Sequence, residues 1–332
     1  MRAMVMAAGK GTRLRPVPDL VPKPMAPVAN RPVIDHILRL LKRHGIMEVV
    51  LNLHHLPEVI TGHLGDGSGL GLHISYSPEP QLLGTAGGVK KNEDFLGTGT
   101  LLIMSGDALT DIDLTEFAAA HRRNGAIATI AVKEVSDPSQ YGVVVTDEAG
   151  RVLGFQEKPS IEEARSNLCN CGIYMFEPEI FSLIPAGQFD DFGSRLFPDM
   201  LKQDVPFYAH TFSGYWSDVG NLSEFARGNA DALSGRVRVE IPGKEVRPGV
   251  WVDEGAFIAP SVRLEPPVVI GRECHLDEDV VVEGPAVLGD RTVVGAGAHV
   301  VRAVVLPDSQ VPSGSVIVEG IVGQKPGHRH ES

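Results

Sequence analysis

Residues 3–27, AMVMAAGKGTRLRPVPDLVPKPMAP, join an apolar run to a loop rich in glycine and basic residues. The run from Ala3 to Ala8 predicts a buried strand, because short continuous apolar runs are typical of strands covered on both faces. The loop Gly9 to Arg13 can bring backbone N–H groups close to phosphate oxygens, since glycine has no Cβ. The Arg13 guanidinium suits phosphate, and Lys23 stands between two prolines that fix the backbone beside it. The stretch therefore predicts a polyphosphate site at the end of the first strand.

The loop follows neither of the two most familiar phosphate-binding patterns. The pattern G-x-x-x-x-G-K-[ST] is absent, and the dinucleotide pattern would require glycine where Leu14 stands. For the loop taken by itself, an ordinary turn with surface cations remains the alternative interpretation.

Length and composition restrict the class of protein. A chain of 332 residues with 43% hydrophobic residues is long enough for about two globular domains. The net charge of −12 argues against nucleic acid as a partner, and no apolar run approaches the roughly 20 residues that span a bilayer. Three cysteines provide no disulfide framework, and the first residues do not resemble a signal peptide. We therefore expect a cytoplasmic protein that binds neither nucleic acid nor membrane.

Strands alternate with helices up to about residue 235, which predicts an α/β domain with a Rossmann-like, mixed but mostly parallel sheet. The predicted strands are 3–8, 49–53, 72–76, 101–104, 127–132, 143–146, 152–156 and 171–176. The first predicted helix begins at Pro32, and further helices are predicted at 57–64, 86–91, 113–123, 192–201 and 221–233. Residues 216–220 are predicted as a loop. Ligands of such sheets bind outside the carboxyl ends of the strands. The loop after the first strand and the segment Ser105-Gly106-Asp107 are therefore expected in one cleft.

From about Val246 the sequence repeats every six residues. Eleven aliphatic residues stand in strict phase: Val246, Val252, Ile258, Leu264, Ile270, Leu276, Val282, Leu288, Val294, Val300 and Leu306. The six-residue phase is interrupted at Pro312 and resumes at Val318. Such unbroken phase predicts a parallel β-helix rather than ordinary alternating strands, with three hexapeptides per coil as in left-handed helices of this type. We therefore predict two domains, residues 1–235 and residues 236–332, the second being the β-helix.

Two aspartates are candidates for holding a metal ion. Asp107 directly follows a buried strand, and Asp218 lies in the segment GYWSDVG. Two carboxylates near a phosphate loop suit Mg²⁺, a hard cation that takes oxygen ligands and keeps phosphate oxygens in its shell. For either aspartate by itself, a helix-capping or turn role is the competing interpretation.

The full set of motifs resembles the sugar-nucleotide pyrophosphorylases, which are hexose-1-phosphate nucleotidyltransferases. Their signature G-x-G-T-R-L-x-P followed by P-K-P-M/L is matched at positions 9–16 and 22–25, and the segments LGTAG, SGD, EKP, NxGIY and YWxDVG follow in family order. One departure is Ala8, where the family often has glycine. The resemblance covers nearly the whole chain and implies a nucleotidyltransferase domain followed by a left-handed β-helix. It implies the following nucleotide-binding residues: Ala7, Ala8, Gly9, Gly11, Thr12, Arg13, Gly84, Thr85 and Gly106.

The resemblance also implies a sugar-phosphate site and a metal site. Glu157 and Lys158 of the EKP segment would meet sugar hydroxyls and phosphate, although an exposed ion pair at a strand end is the competing reading. Asn170 would touch the sugar, and Gly142 would let the sugar approach the backbone. The two metal-binding aspartates of the family correspond to Asp107 and Asp218.

Glu79 stands five residues before Gly84, where relatives that use uracil or thymine have glutamine. A carboxylate only accepts hydrogen bonds, and guanine offers two adjacent donors that it can take together. Glu79 therefore favours GTP, with a solvated turn residue as the alternative.

By this resemblance, a phosphate oxygen of hexose 1-phosphate attacks the α-phosphorus of a nucleoside triphosphate and pyrophosphate leaves. Catalysis would be positioning and charge stabilisation by Arg13, Lys23 and Lys158 together with Mg²⁺. The family member that we consider most similar uses GTP and mannose 1-phosphate, and an enzyme that uses UTP or dTTP with glucose 1-phosphate is the alternative. A non-catalytic regulatory homologue is one weaker alternative. Another is a bifunctional enzyme with acyl transfer on the β-helix, where His275 or His299 would act as base. We expect the β-helix to join subunits into a homo-oligomer.

Overall fold

The computed structural model describes residues 1–9 and 22–323. Within these ranges the chain divides into two compact units. The first contains residues 1–9, 22–24 and 37–218, and the second contains residues 25–36 and 219–323. The predicted domain limits at 235 and 236 stay a prediction.

The helices and strands before residue 235 follow the predicted alternation closely. The α-helices are α1 Val33–Arg43, α2 Pro57–Leu64, α3 Gly84–Lys91, α4 Glu93–Leu96, α5 Leu114–Arg123, α6 Phe197–Lys202 and α7 Leu222–Leu233. The strands are β1 Arg2–Met6, β2 Pro27–Val28, β3 Arg31–Pro32, β4 Glu48–Leu53, β5 His73–Pro78, β6 Leu101–Ser105, β7 Ala108–Thr110, β8 Ala128–Glu134, β9 Gly142–Thr146, β10 Val152–Glu157, β11 Leu168–Phe176, β12 Phe207–Thr211 and β13 Trp216–Asp218. Asp113 caps α5 as predicted, because its carboxylate accepts hydrogen bonds from the N–H groups of Thr115 and Glu116.

The sheet of the first unit is mixed, as predicted. Its strand order is β10-β9-β11-β6-β1-β4-β5; in addition, β8 pairs with β11, and β12 pairs with β8. Strands β6, β1, β4 and β5 are parallel, whereas β11 runs antiparallel to β6, β8 and β9. Because β1 and β6 are parallel neighbours with Met6 opposite Ser105, the segments that follow them emerge side by side.

One local prediction in the first unit is wrong, and a second is refined. Residues 216–218 form strand β13, which pairs antiparallel with β7, whereas a loop was predicted. A strand of three residues is too short to show the alternation of a strand in its sequence, and this one depends on pairing with a segment about 100 residues away. The predicted helix 192–201 is divided into a π-helical turn, Phe192–Leu196, and helix α6.

The second unit contains the β-helix, whose short strands stack in three sheets that are parallel except for the first strand. The strands are β14 Lys244–Arg247, β15 Val250–Val252, β16 Phe257–Ile258, β17 Arg263–Glu265, β18 Val268–Ile270, β19 His275–Leu276, β20 Val281–Glu283, β21 Ala286–Leu288, β22 Val293–Val294, β23 His299–Val301, β24 Val304–Val305, β25 Gln310–Val311, β26 Val316–Val318 and β27 Ile321–Val322. Val252, Ile270 and Leu288 are stacked at intervals of 18 residues, which is three hexapeptides per coil. This repeated arrangement is that of a left-handed parallel β-helix.

The hexapeptide phase holds in the middle of the β-helix and fails at both ends. The aliphatic residues at every sixth position from Ile270 to Val300 are fully buried. Val246 is exposed, because its strand β14 runs antiparallel to β15. After Val300 the connection to the next strand is one residue shorter, so Val305 takes the place below Leu288 that was predicted for Leu306. The same shift leaves Val318 exposed.

No helix in the described ranges is both long enough and apolar enough to cross a membrane.

Candidate active site

Strands β1 and β6 deliver two short segments to one edge of the sheet. Gly106 follows β6, and its N–H donates to the carbonyl of Met6 at 2.9 Å. A Cβ atom at Gly106 would lie 2.7 Å from that oxygen, which explains why glycine is needed here. The close approach of the two segments places Asp107 beside the end of β1.

Lys23 lies between the two predicted metal ligands. Its ammonium donates hydrogen bonds to Asp107 and, at 2.9 Å, to Asp218. Asp107 is held further by the Ser105 hydroxyl, and Asp218 lies opposite Ala108 in the β7–β13 pair. The pairing of β13 with β7 therefore brings together two carboxylates that are distant in sequence.

The ion cluster keeps Lys23 charged. Burial, the largest effect, acts to lower the pKa of Lys23, but the charges and hydrogen bonds of Asp107 and Asp218 outweigh it and raise the pKa above 10.5. The site therefore contains a fixed cation at Lys23, placed between the side chains of Asp107 and Asp218.

Hydrogen bonds from other parts of the chain hold the segment that precedes Asp218. The Lys133 ammonium donates to the carbonyls of Ser213 and Gly214 at 3.1 and 2.5 Å. The carboxylate of Asp111 accepts from the N–H of Tyr215 at 2.6 Å. Lys133 and Asp111 thus help to position Asp218 without belonging to any motif in the sequence.

A cavity of about 270 Å³ opens beside this cluster. Its walls include Lys23 and Asp107 together with five of the predicted nucleotide-binding positions, namely Ala8, Gly9, Glu79, Gly84 and Thr85. Ala7 is buried at the end of β1, and its N–H donates to Asn52 at 2.9 Å. The predicted residues Gly11, Thr12 and Arg13 lie outside the described residues.

Glu79 is buried rather than solvated. It is 2% exposed, and its two carboxylate oxygens accept hydrogen bonds from the Asn52 side chain at 2.9 Å and from the N–H of Leu83 at 3.1 Å. Asn52 is itself fixed by the N–H of Ala7. Glu79 therefore links the segment after β1 to the segment before α3 and presents a fixed acceptor at the cavity.

Helix α3 begins at Gly84, where the backbone has φ of 75° and lies close to another segment. The carbonyl of Asp190 accepts hydrogen bonds from the N–H groups of Ala86 and Gly87 at 3.0 and 3.1 Å. The hydroxyl of Thr85 donates to Asp191 at 2.9 Å. These contacts fix residues 190 and 191 at the rim of the cavity.

We expect Gly84→Ala to destabilise the protein. An added Cβ would lie 2.2 Å from the carbonyl oxygen of Asp190 at a backbone angle that alanine disfavours. The free energy of unfolding should fall by about 2–4 kcal/mol, measured by urea denaturation. Gly62→Ala in α2 is the matched control, since a Cβ there meets nothing within 4 Å. Equal stability of the two variants would show that the Gly84 contact is not tight in solution.

A second cavity, of about 690 Å³, contains predicted sugar-binding residues. Gly142, Glu157 and Asn170 line it together. The Asn170 amide is oriented by Gly172 and Tyr174, since its oxygen accepts from the Gly172 N–H at 2.9 Å and its nitrogen donates to the tyrosine oxygen at 3.0 Å. The three motif residues, on strands β9, β10 and β11, therefore line one cavity, and their contact with a sugar stays a prediction.

Lys158 directly follows β10 in a left-handed backbone conformation with φ of 44°. Its N–H donates to the carbonyl of Tyr141 at 3.1 Å, and its ammonium lies 3.8 Å from the carboxylate of Glu157. The side chain is 46% exposed, so the cation is accessible to a charged substrate.

Asp191 was missed in the sequence although it lines both cavities. One carboxylate oxygen caps the turn at Gly193 and Ser194, and the other accepts from Thr85. The only signal in the sequence is its position directly before a predicted helix, and that position indicates a helix-capping role rather than a ligand-binding one.

The fold and this edge of the sheet are those of an enzyme that acts on phosphorylated substrates. A model of the family described as "Nucleotidyl transferase" matches residues 2–235, so the chain belongs to the nucleotidyl transferase family. It is 40% identical to a UTP–glucose-1-phosphate uridylyltransferase of Synechocystis sp., over 97% of this chain and 87% of the relative. It is 35% identical to a mannose-1-phosphate guanylyltransferase of Mycobacterium tuberculosis, over 90% of this chain and 83% of that protein.

Solved structures give the same result for the fold. A putative glucose-1-phosphate thymidylyltransferase from Bacillus anthracis superposes with a TM-score of 0.64 at 25% identity, covering 74% of this chain and 98% of its own. The chain is therefore a nucleotidyltransferase, and enzymes of this family generally use a divalent metal ion.

Proposed function

We propose that the chain joins a nucleoside triphosphate to a hexose 1-phosphate, releasing pyrophosphate and an NDP-hexose. The main support is the Lys23–Asp107–Asp218 cluster at the edge of the first cavity. Asp191 lines both this cavity and the second one, so the two cavities are adjacent at that residue. A phosphate oxygen of the hexose 1-phosphate forms the new bond to the α-phosphorus. The bond between the α- and β-phosphates breaks, and its electron pair leaves with pyrophosphate.

The carboxylates suit Mg²⁺. An ammonium already lies between Asp107 and Asp218, so this position favours positive charge. Two carboxylates suffice for Mg²⁺, because that ion often takes one or two carboxylates and completes its shell with phosphate and water. Bound there, the ion would supply positive charge to the phosphate oxygens of both substrates.

The other residues would bind and orient the substrates. We assign Lys23 and Lys158 to charge on the reacting phosphates, and Glu157 and Asn170 to hydroxyl groups of the sugar. Arg13 and the loop at Gly11 and Thr12 keep their predicted role with the triphosphate. No side chain needs to act as a nucleophile, since the hexose phosphate itself attacks.

Among the possible substrates we favour GTP with mannose 1-phosphate. A buried carboxylate that only accepts hydrogen bonds lines the nucleotide cavity, and guanine presents two adjacent donors on one edge. Each carboxylate oxygen can accept more than one hydrogen bond, so the contacts of Glu79 with Asn52 and Leu83 leave acceptor capacity for a base.

UTP with glucose 1-phosphate is the second candidate. It is favoured by the 40% identity to the uridylyltransferase over nearly the whole chain. Pyrophosphate release across ATP, CTP, GTP, UTP and dTTP, each with glucose 1-phosphate and mannose 1-phosphate, decides between the two. GTP with mannose 1-phosphate should give the highest kcat/KM. A clear lead for UTP with glucose 1-phosphate would overturn the guanine assignment, and no release with any pair would overturn the proposed function.

Glu79→Gln should change the choice of base. Replacing one acceptor oxygen by an NH₂ group should lower the ratio of kcat/KM for GTP to that for UTP by about 10-fold, the cost of one mismatched buried hydrogen bond. A loss that is equal for both nucleotides would limit Glu79 to holding Asn52 and Leu83. Thermal unfolding of the variant measures that structural part separately.

The remaining predictions concern location and assembly. We keep the proposals of a cytoplasmic location, of no nucleic-acid partner and of a homo-oligomer formed through the β-helix. Support for the oligomer comes from apolar side chains on the β-helix surface, since Phe257, Val316 and Val318 are each more than half exposed. Light scattering on the purified protein measures the subunit number.

A further inference from the structure

Two exposed apolar side chains line the nucleotide cavity. Phe189 is 69% exposed and Leu82 is 38% exposed, and both belong to its wall. Phe189 is the most exposed of the large apolar residues in the first unit. An exposed phenylalanine beside a binding cavity invites a role in ligand contact, because its hydration is unfavourable when nothing covers it.

The backbone that directly follows Phe189 is well anchored at Asp190. Asp190 is 2% exposed, donates its N–H to the carbonyl of Leu83 at 2.8 Å, and forms an ion pair with Arg195. The carbonyl of Asp190 is bound by the first turn of α3. The ring is therefore presented from a fixed position, which lowers the entropic cost of contact with a ligand.

The position of the ring is over the start of α3. A Cβ atom at Gly84 would lie 3.2 Å from Cε2 of Phe189. The same cavity contains Lys23, whose ammonium suits the triphosphate, and Glu79, which suits polar groups on the edge of a base. What these polar groups do not provide is contact with the flat face of the base.

We propose that the ring of Phe189, with Leu82 in the same wall, stacks on the base of the nucleoside triphosphate. This inference rests on the proposed function, since it requires that a nucleotide occupies this cavity. Every base has a π-face, so stacking supports affinity without selecting among bases. Glu79 and Phe189 then have separate tasks, the first in base choice and the second in binding strength.

Phe189→Ala tests the proposal in steady-state kinetics. The KM of each nucleoside triphosphate that the wild type uses should rise by about 10-fold, and by a similar factor for purines and pyrimidines. The KM of hexose 1-phosphate and the inhibition constant of inorganic tripolyphosphate, which has no base, should not change. Leu153→Ala is the matched control, because Leu153 is 57% exposed in the same unit and lines neither cavity.

Phe189→Trp supplies a direct signal. Its fluorescence should change when the nucleotide is added and stay constant with tripolyphosphate, while the KM remains near that of the wild type. Unchanged nucleotide KM in Phe189→Ala would overturn the stacking assignment. An equal loss of tripolyphosphate inhibition would also overturn it, because the ring would then only support the backbone. Absence of turnover in the wild type is a different result, and it would count against the proposed function.

Discussion

Asp107→Asn is expected to lower kcat on the order of 10³-fold while leaving the fold intact. The change removes one negative charge and keeps the shape of the side chain. Asparagine can still accept the hydrogen bond from the Ser105 hydroxyl, and Lys23 keeps its contact with Asp218. What is lost is one of the two carboxylates that hold positive charge beside the reacting phosphates. Initial rates of pyrophosphate release at saturating substrates measure the effect.

The matched control for Asp107→Asn is Asp204→Asn. Asp204 lies in the same unit and outside both cavities, and its side chain is 91% exposed. The control should keep the kcat of the wild type. If Asp107→Asn also keeps it, with Tm unchanged, Asp107 has no part in the chemistry and the assignment of the cluster is wrong.

Lys23→Met is expected to lower kcat on the order of 10²-fold. Methionine keeps much of the apolar stem and removes the ammonium between Asp107 and Asp218. The raised pKa of Lys23 means that its stabilising charge is fully present below 10.5 and is lost only as the pH rises through the higher value in the folded protein. The defect of the variant should therefore be equally large at pH 7 and pH 9.

Removal of the ammonium also leaves two carboxylates without the cation between them. Mg²⁺ should then raise the Tm of Lys23→Met more than that of the wild type, because the ion offsets the repulsion between Asp107 and Asp218. Lys202→Met is the control, since Lys202 is 75% exposed and pairs only with Asp199 among the described side chains. Wild-type turnover in Lys23→Met would remove the lysine from the mechanism.

The parts of the site that lie next to strand ends could be predicted from the sequence. Gly9 and Asp107 each follow an apolar run, and the parallel pairing of those runs brings them to one edge. Glu157 and Asn170 were predicted from local motifs, and both line the second cavity. For Gly9 and Asp107 the physical reason is that the backbone of a parallel sheet fixes where its strand ends lie. Glu157 and Asn170 lie on antiparallel strands, and the family resemblance alone implied them.

Residues that act through distant contacts could not be predicted. Asp191, Phe189 and Lys133 belong to no motif, and each contacts a segment that is distant in sequence: Asp191 meets Thr85, Phe189 lies near Gly84, and Lys133 binds Ser213 and Gly214. Strand β13 was predicted as a loop, because it depends on pairing with β7 rather than on its own three residues. The position of Asp218 beside Asp107 thus depends on tertiary pairing of distant strands. Only the resemblance of its motif to that of the family indicated this position in advance.

The β-helix shows the same division between local pattern and tertiary detail. The six-residue phase predicted the stacking of Ile270 over Leu288. It failed at Leu306, because a connection one residue shorter moves Val305 into the buried position. A repeat predicts the architecture, whereas the length of each connection decides which side chain points inward.

The most direct test of nucleotidyl transfer follows the label of [α-³²P]GTP in the presence of mannose 1-phosphate and Mg²⁺, with [α-³²P]UTP and glucose 1-phosphate in parallel. We predict that the label moves into an NDP-hexose, that transfer requires the hexose 1-phosphate, and that Asp107→Asn abolishes nearly all of it. Label that appears only in free nucleoside mono- or diphosphate, at a rate independent of the sugar phosphate, would contradict nucleotidyl transfer to the sugar.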